Sequence, residues 1–514
     1  MVEAHAADAD GVGMSIVLGV SGLYHDAAVA LVVDGAVGGA LQLERVSRIK
    51  NDPRLPLQAA CAVLDNAGIA AGDVDEVVFY ENPYARLEHV LVSTLRGFPR
   101  TFRQFPRAMA SQLSHKLWVK DDLASGLGID RKKVSHVGHH ESHAASAFFA
   151  CDAVSAAIVC VDGVGEDVST SIWHGVGSTL RLVSQQQFPH SLGLFYAAIT
   201  AWLGFRVLEG EQQVMGLAAC GAPRFLDQMQ RLAHGAADGS VEMDLSCFAH
   251  HTDDRLGYAD GLVRLLGPPR PRGRPWRLRG DYVDADDVRY ADVAASAQRH
   301  LEDLLLGLAR QARVLTGELD TLCLAGGVAL NACANSRLHT EAGFARVVVQ
   351  PAAGDAGGAL GAAYLASLRC DGRRPQPLTH AALGPSLSTS TGTVLRAIPR
   401  VTATLSDVAQ AVLGSPRAVF WLHRTPLWSR ALPHRRAAPF SGAAPGVLAS
   451  SRPLIVVAGA AAEGQLTGSR DDGVRGKAHP NAEPRARGRG AVRQPPAPVC
   501  DSVGADVAIG DRSV

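Results

Sequence analysis

The chain has 514 residues, 47% hydrophobic and 19% charged, enough to bury one large α/β core or two to three domains. Basic and acidic side chains balance at 50 each, for a formal net charge of +0, which points to neither a nucleic-acid partner nor a membrane surface. The nine cysteines are scattered without a CxxC pair, which fits a reducing cytoplasm better than a disulfide scaffold.

Residues 1–14 read as a disordered leader, acidic and rich in small residues, without the basic and apolar regions of a signal peptide. Met14 is a second candidate start, and no apolar run approaches the length of a membrane span. Ser15 to Val20 reads as a buried strand running into a small-residue loop, Ser21 to Asp26. Ala30 to Val33 and Val37 to Leu43 read as two further strands joined by the Asp34-Gly35 hairpin signal. Leu55 to Ala67 and Glu88 to Leu95 are expected helices. The opening unit then recurs: strand Ala157 to Val161, the loop Asp162 to Asp167, strand Ser169 to His174, a Gly175-Val176-Gly177 turn, and strand Thr179 to Val183. A duplicated hairpin unit with a Gly-rich first loop predicts two facing lobes of the actin and sugar-kinase type, whose paired loops grip a nucleotide's phosphates.

Pro268 to Arg279 reads as a solvated surface insertion, and Ala291 to Leu315 as a long helix. Leu322 to Ala325 is a strand entering Gly326-Gly327, followed by a helix over Ala329 to Leu338. Arg346 to Gln350 is another strand, leading through Gly354-Asp355-Ala356-Gly357-Gly358 to a helix over Ala359 to Leu368. Strand, Gly-rich turn, helix is the layout that aims backbone N–H groups at anions. Between Asp407 and Glu463 there is no acidic residue, and from Gly468 the composition cannot easily build a core, so 451–514 is expected to be mostly disordered.

His139 and His143 are four apart, which on a helix places both imidazoles on one face as a pair of metal ligands; a His-rich helix end without a ligand is the plain alternative. The motif is not that of a zinc protease, because His140 stands where Glu would be required. A carboxylate must complete such a site. Asp355 is the best candidate, a helix N-cap being its other reading. In Asp162-Gly163-Val164-Gly165-Glu166 the glycines let phosphate oxygens approach the backbone and Asp162 can hold a metal-bound water; an ordinary turn is the alternative. His25 and Asp26 offer a base and a carboxylate to the same cleft. Gly326-Gly327-Val328-Ala329-Leu330-Asn331 is a candidate cradle for ribose and adenine.

Taken in order, Gly22-Leu23-Tyr24-His25-Asp26-Ala27-Ala28, Glu44-Arg45, Arg48 to Asp52, His139 to Phe148, Val161 to Glu166, Pro189 to Tyr196, Val214-Met215-Gly216-Leu217-Ala218, Gly267 to Arg270, Gly326 to Asn331 and Gly354 to Gly361 resemble the NodU/CmcH carbamoyltransferases of nodulation-factor and antibiotic biosynthesis. The resemblance runs from about Ser15 to Pro385. It implies a carbamoyltransferase domain over 15–383, in lobes 15–150 and 151–383. It also implies a two-step reaction in which a YrdC-like C-terminal domain makes carbamoyl-adenylate from carbamoyl phosphate and ATP. The N-terminal domain then passes the carbamoyl group to a hydroxyl of a small molecule of secondary metabolism. By resemblance, His139, His143 and Asp355 hold a divalent metal, Fe2+, with Asp162 beside them. Gly193, Gly326, Gly327 and Asn331 match nucleotide contacts, and Gly163, Gly165 and Gly354 of the Gly-rich loops are expected to join them. His25 is the expected base, with Asp26 orienting it or contacting the metal site. A cytoplasmic homodimer is also implied.

Two departures stand out. Gln213 occupies a position where the family commonly has Lys. The segment Arg424 to Arg436 keeps only Arg-Ala-Leu and a later Arg of the adenylating pattern, with Pro433 in place of a glycine. Residues 384–450 are therefore expected to be a truncated or scrambled remnant of the YrdC-like domain. The alternative to an active enzyme is an inactive or partner-dependent remnant that binds nucleotide or metal but cannot make carbamoyl-adenylate.

Overall fold

The computed structural model describes residues 14–385, apart from 103, 237, 253–256 and 279–282. Expectations for 1–13 and 386–514, the adenylating remnant and the C-terminal segment among them, lie outside the described residues.

The first sheet is built from β1 (Ile16–Ser21), β2 (Ala28–Val33), β3 (Ala36–Gln42), β4 (Glu76–Phe79) and β5 (Val134–His136), in the order β3-β2-β1-β4-β5. β1 to β3 form an antiparallel meander, and β4 and β5 add in parallel to β1. Asp34 and Gly35 both have positive φ, 49° and 75°, the geometry of a tight hairpin turn. α1 (Glu44–Ser47) and α2 (Leu57–Ala67) follow β3. α3 (Pro83–Gly97), α4 (Phe105–Ser111), a π-helical turn at Gln112–Lys116 and α5 (Val119–Leu127) lie between β4 and β5, and α6 (His139–Phe148) follows β5.

The second sheet repeats the plan. β6 (Ser155–Gly165), β7 (Val168–Val176) and β8 (Thr179–Gln187) form the meander. α7 (Leu192–Trp202), α8 (Glu211–Ala218), α9 (Leu226–Leu232), the hairpin β9 (Ala233–Gly235) and β10 (Val241–Met243), α10 (Asp260–Leu266) and α11 (Ala285–Thr316) intervene. β11 (Thr321–Ala325), α12 (Ala332–Glu341), β12 (Arg346–Val349) and α13 (Asp355–Asp371) close the described chain. The order β12-β11-β6-β7-β8, with β11 and β12 parallel to β6, matches the first sheet strand for strand. This duplication is the two-lobed α/β architecture of the actin and sugar-kinase folds.

α13 leaves the second sheet and packs on the first. Ala359, Leu360, Ala362 and Ala363 belong to the same buried core as β1 and α6. The approach is close enough that a Cβ on Gly361 would lie 1.8 Å from the Ser142 carbonyl oxygen, and one on Gly19 would lie 1.9 Å from that of Ala359. One difference from the sequence expectation is that the helix starts at Asp355, not at Ala359, despite the poor helix propensity of Gly357 and Gly358, which are themselves close-packed: an added Cβ would lie 2.2 Å from the Ala352 carbonyl oxygen and 2.7 Å from Tyr80 Cδ2, respectively. The Pro268 stretch is not simply solvated. Arg270 is buried, its guanidinium 3.6 Å over the Trp276 ring and 3.5 Å from Asp287 on α11. Among the described residues no helix is long and apolar enough to cross a membrane.

Candidate metal centre and catalytic cleft

α6 and α13 bring their first turns together at the cleft between the sheets. His139 and His143 sit one turn apart on α6, and Asp355 is the first residue of α13. Asp162, where β6 bends out of its ladder, completes the group. One ligand atom from each of the four lies within 4.8 Å of the others. The two Nε2 atoms are 3.0 Å apart. Asp162 Oδ2 is 3.1 Å from His139 and 3.2 Å from His143, and Asp355 Oδ1 is 3.7 and 3.6 Å from the same two atoms. The other carboxylate oxygen of Asp162 accepts from the Gly163 and Gly327 amides.

This donor set fits a divalent transition metal. Two imidazole nitrogens and two carboxylate oxygens are a borderline-to-hard set of the kind that Fe, Mn, Co and Zn accept. Two Nε2 atoms at 3.0 Å cannot both point lone pairs, or both N–H bonds, at each other without a cation or a shared proton between them. The Nδ1 atoms of both rings are buried without a partner, so every polar contact of these imidazoles is made on the side of the cluster. Between them His140 faces the other way, its Nδ1 2.7 Å from Ser171 Oγ, and burial pushes it down to about 3.

Electrostatics without a metal follow from the crowding. Burial lowers the His143 pKa, but Asp162 and Asp355 outweigh it and hold the imidazole at about 9. Burial raises Asp162 and Asp355. The imidazoles reverse this, pulling Asp162 well below the usual carboxylate range and Asp355 below it.

His25 stands beside this cluster. Its Nε2 is 3.6 Å from Asp355 Oδ2 and its Nδ1 is 3.1 Å from Asp26 Oδ2. The loop reaches this arrangement with Leu23 and Asp26 both at positive φ, 66° and 52°. Burial lowers His25, but Asp355 and Asp26 overcome it and hold the pKa at about 9. Tyr24 packs its ring 4.5 Å from that of His25, with Lys116 Nζ 5.4 Å above it.

A family model described as "Carbamoyltransferase N-terminus" matches residues 16–364. The chain belongs to this family. An uncharacterized protein of Synechocystis is 40% identical to this carbamoyltransferase-family chain over 393 residues, 72% of this chain and 61% of the relative. Nodulation protein NolNO of Sinorhizobium fredii is 33% identical over 67% of this chain and 46% of its own, and nodulation protein NolO of Bradyrhizobium diazoefficiens is 35% identical over 50% and 43%. The carbamoyltransferase-family chain thus spans between two fifths and two thirds of the length of these relatives. Among solved structures, component A of Acidaminococcus fermentans (R)-2-hydroxyglutaryl-CoA dehydratase aligns with TM-score 0.39 and 14% identity, covering 69% of this chain and 99% of that one. The T. kodakarensis HypF structure aligns with TM-score 0.34 and 13% identity, covering 70% and 49%.

The glycines of the carbamoyltransferase motifs have individual tasks. A Cβ on Gly165 would lie 2.0 Å from His139 Cδ2, so the absence of a side chain there makes room for the His139 ring of the cluster. Gly193 packs on the Asp162 carbonyl and Gly326, at φ +87°, on that of Val161; an added Cβ would come within 2.6 and 2.3 Å. A Cβ added at Gly327 would lie 2.9 Å from Asp162 Oδ1 and one at Gly354 3.2 Å from Leu330 Cδ1, while Gly163 is the open position, where the nearest atom to an added Cβ would be Leu194 Cδ2 at 3.7 Å. Asn331 is committed elsewhere. It caps α12 through Ala334 N and exchanges two hydrogen bonds of 2.9 Å with Gln298.

Sequence reasoning missed Tyr80, whose hydroxyl donates to Asp355 Oδ2 at 3.4 Å, and Glu166, whose carboxylate accepts from the His139 amide. Tyr80 had a usable signal: the apolar run Val77-Val78-Phe79-Tyr80 ends at Glu81-Asn82-Pro83, a strand end followed by a helix start, where α/β proteins place their sites.

Proposed function

We propose that this chain is the transferase part of an O-carbamoyltransferase, moving a carbamoyl group from carbamoyl-adenylate to a hydroxyl of a small-molecule natural product. The supporting observation is the convergence of His139, His143, Asp162 and Asp355 within 4.8 Å, with His25 reaching Asp355 at 3.6 Å. By this reading His139, His143 and Asp355 hold a divalent cation, Fe2+, with Asp162 as a fourth donor or as the acceptor of a bound water. When bound there the cation supplies charge stabilisation for the phosphate that leaves as AMP.

The protein's own residues do the rest. Asp26 on Nδ1 fixes the His25 tautomer that presents Nε2 to the cleft. His25 then takes the proton from the attacking hydroxyl. Its raised pKa belongs to the metal-free protein. A cation neutralising Asp355 removes the largest attraction for that proton and returns the imidazole toward a base. The backbone around Gly163, Gly327 and Gly354 faces the nucleotide. Carbamoyl phosphate and ATP are the co-substrates from which carbamoyl-adenylate is made. The protein works in the cytoplasm as a homodimer, without a nucleic-acid or membrane partner.

Two assays test the reading. Preformed carbamoyl-adenylate with candidate hydroxyl acceptors is expected to give AMP and a carbamoylated product. His25→Asn is expected to abolish that product while AMP still binds. ATP with carbamoyl phosphate reads the adenylating step through pyrophosphate. Undiminished transfer by His25→Asn removes the base assignment, and failure to transfer from carbamoyl-adenylate in the presence of Fe2+ removes the function.

A further inference from the structure

The helix that carries both histidines begins without a cap of its own. α6 opens at His139, and the residue before it is Gly138, which has no side chain to accept from the first amides. Glu141 reaches back to the Gly138 amide at 3.4 Å, which leaves the His139 amide to find a partner elsewhere. It finds Glu166, with both carboxylate oxygens at 3.3 Å. Glu166 Oε1 also accepts from the Asn82 amide at 2.6 Å, at the start of α3, and its carbonyl accepts from Arg86 Nη1 at 2.9 Å. Glu166 lies on the β6–β7 turn of the second sheet, whereas α3 and α6 follow strands of the first. It holds this pose with φ +52°, a conformation that side chains other than glycine adopt at a cost.

We propose that Glu166 is a positioning residue: its carboxylate, reaching across the cleft, caps the N-terminus of α6 and fixes His139 for the metal, so that the ligand set is complete only while the two sheets are held together at this point. The carboxylate sits at the positive end of the helix dipole, where its charge is favourable. One oxygen already serves both Asn82 and His139, so the task depends first on an oxygen at that reach and only second on a full charge. The proposal rests on the reading that His139, His143 and Asp355 hold a divalent ion.

The test uses the full chain stripped of metal and titrated with Co2+, followed by calorimetry and visible absorption. Amide hydrogen exchange over 138–143 and 82–86 is read in parallel. Glu166→Ala is expected to weaken Co2+ binding roughly 10- to 100-fold, the usual effect of removing a partner behind a ligand, and to speed exchange in both segments. Glu166→Gln, which keeps the accepting oxygen, is expected to stay within about threefold of wild type. Glu166→Asp keeps the charge but is one methylene short, and is expected to behave like the alanine variant, which keeps the test sound should Glu166→Ala fail to fold. Wild-type Co2+ affinity and exchange in Glu166→Ala, or tight binding in Glu166→Asp with loss in Glu166→Gln, would overturn the proposal. Wild type that binds no Co2+, indistinguishable from His143→Ala, sinks the metal reading instead, while the exchange arm still reports on the cap.

Discussion

Replacing Gly165 with alanine puts a Cβ 2.0 Å from His139 Cδ2, 2.4 Å from Cγ and 2.8 Å from Nε2. Ordinary contact begins near 3.4 Å, so the ring has to retreat by about 1.4 Å, and its surroundings oppose this. The His139 side chain is 5% exposed, with the Tyr80 ring centroid at 5.1 Å and that of His143 at 4.6 Å. A metal site tolerates errors of about 0.2 Å in a ligand distance, so a ring displaced this far ceases to be a ligand. Metal affinity is expected to fall by at least roughly 100-fold, the upper end of what disturbing a supporting partner costs. Overpacking should also destabilise the fold by about 1–3 kcal/mol. Calorimetric titration of the metal-free protein reads the first effect and urea unfolding the second. Gly163→Ala is the control, since its new Cβ meets only Leu194 Cδ2 at 3.7 Å. If the glycines serve only to admit phosphate, both variants weaken AMP binding and neither touches the metal. Wild-type metal affinity in Gly165→Ala would refute the reasoning.

Metal binding should expel the proton that Asp162 and Asp355 hold on His143, whose pKa in the metal-free protein is about 9. Affinity is then expected to rise about tenfold per pH unit from neutrality and to level off above that value; a flat profile contradicts it. The same raised pKa stabilises the metal-free fold fully below the unfolded value of 6.5, and the contribution is lost as pH rises through about 9, so thermal melts of metal-free protein should soften there while metal-loaded protein does not follow. Asn331→Ala should cost roughly 1–2 kcal/mol through the lost α12 cap and leave AMP affinity unchanged, because the side chain is already spent on Ala334 and Gln298; a selective loss of AMP binding would return it to the nucleotide site. Gly361→Ala sets a Cβ 1.8 Å from the Ser142 carbonyl, a backbone contact that cannot swing aside, and should destabilise by roughly 3 kcal/mol or more in urea unfolding.

The two meanders were legible because each is local: an apolar strand, a turn residue pair and a returning strand stand next to one another in the sequence. β4 and β5, four and three residues long, were not, because parallel pairing with β1 is decided by distant chain. The histidine pair was legible from helical spacing alone. Its carboxylate partners lie 19 to 216 positions away from the pair and could be named only from the chemistry a site needs and from motif resemblance. Glu166 acts through contacts that no local pattern encodes, while Tyr80 stands at a strand end that marks the place but not its partner Asp355.

Glycine is where sequence and structure part most usefully. Read along the chain, Gly165, Gly193 and Gly326 mark places where a backbone leaves room, and phosphate is the natural occupant to imagine. In the folded protein the room at all three is taken by protein: the His139 ring, the Asp162 carbonyl and the Val161 carbonyl. Their common effect is to pack β6, α7 and the loop after β11 so tightly that Asp162 has almost no freedom, its Oδ1 pinned by the Gly163 and Gly327 amides and its Oδ2 fixed between two imidazoles. A carboxylate held this way is arranged before any ion arrives, so little has to be ordered on binding. Gly165, Gly193 and Gly326 thus serve the close packing around the Asp162 carboxylate, and Gly163 is the one of the four whose added Cβ would meet no atom closer than 3.7 Å.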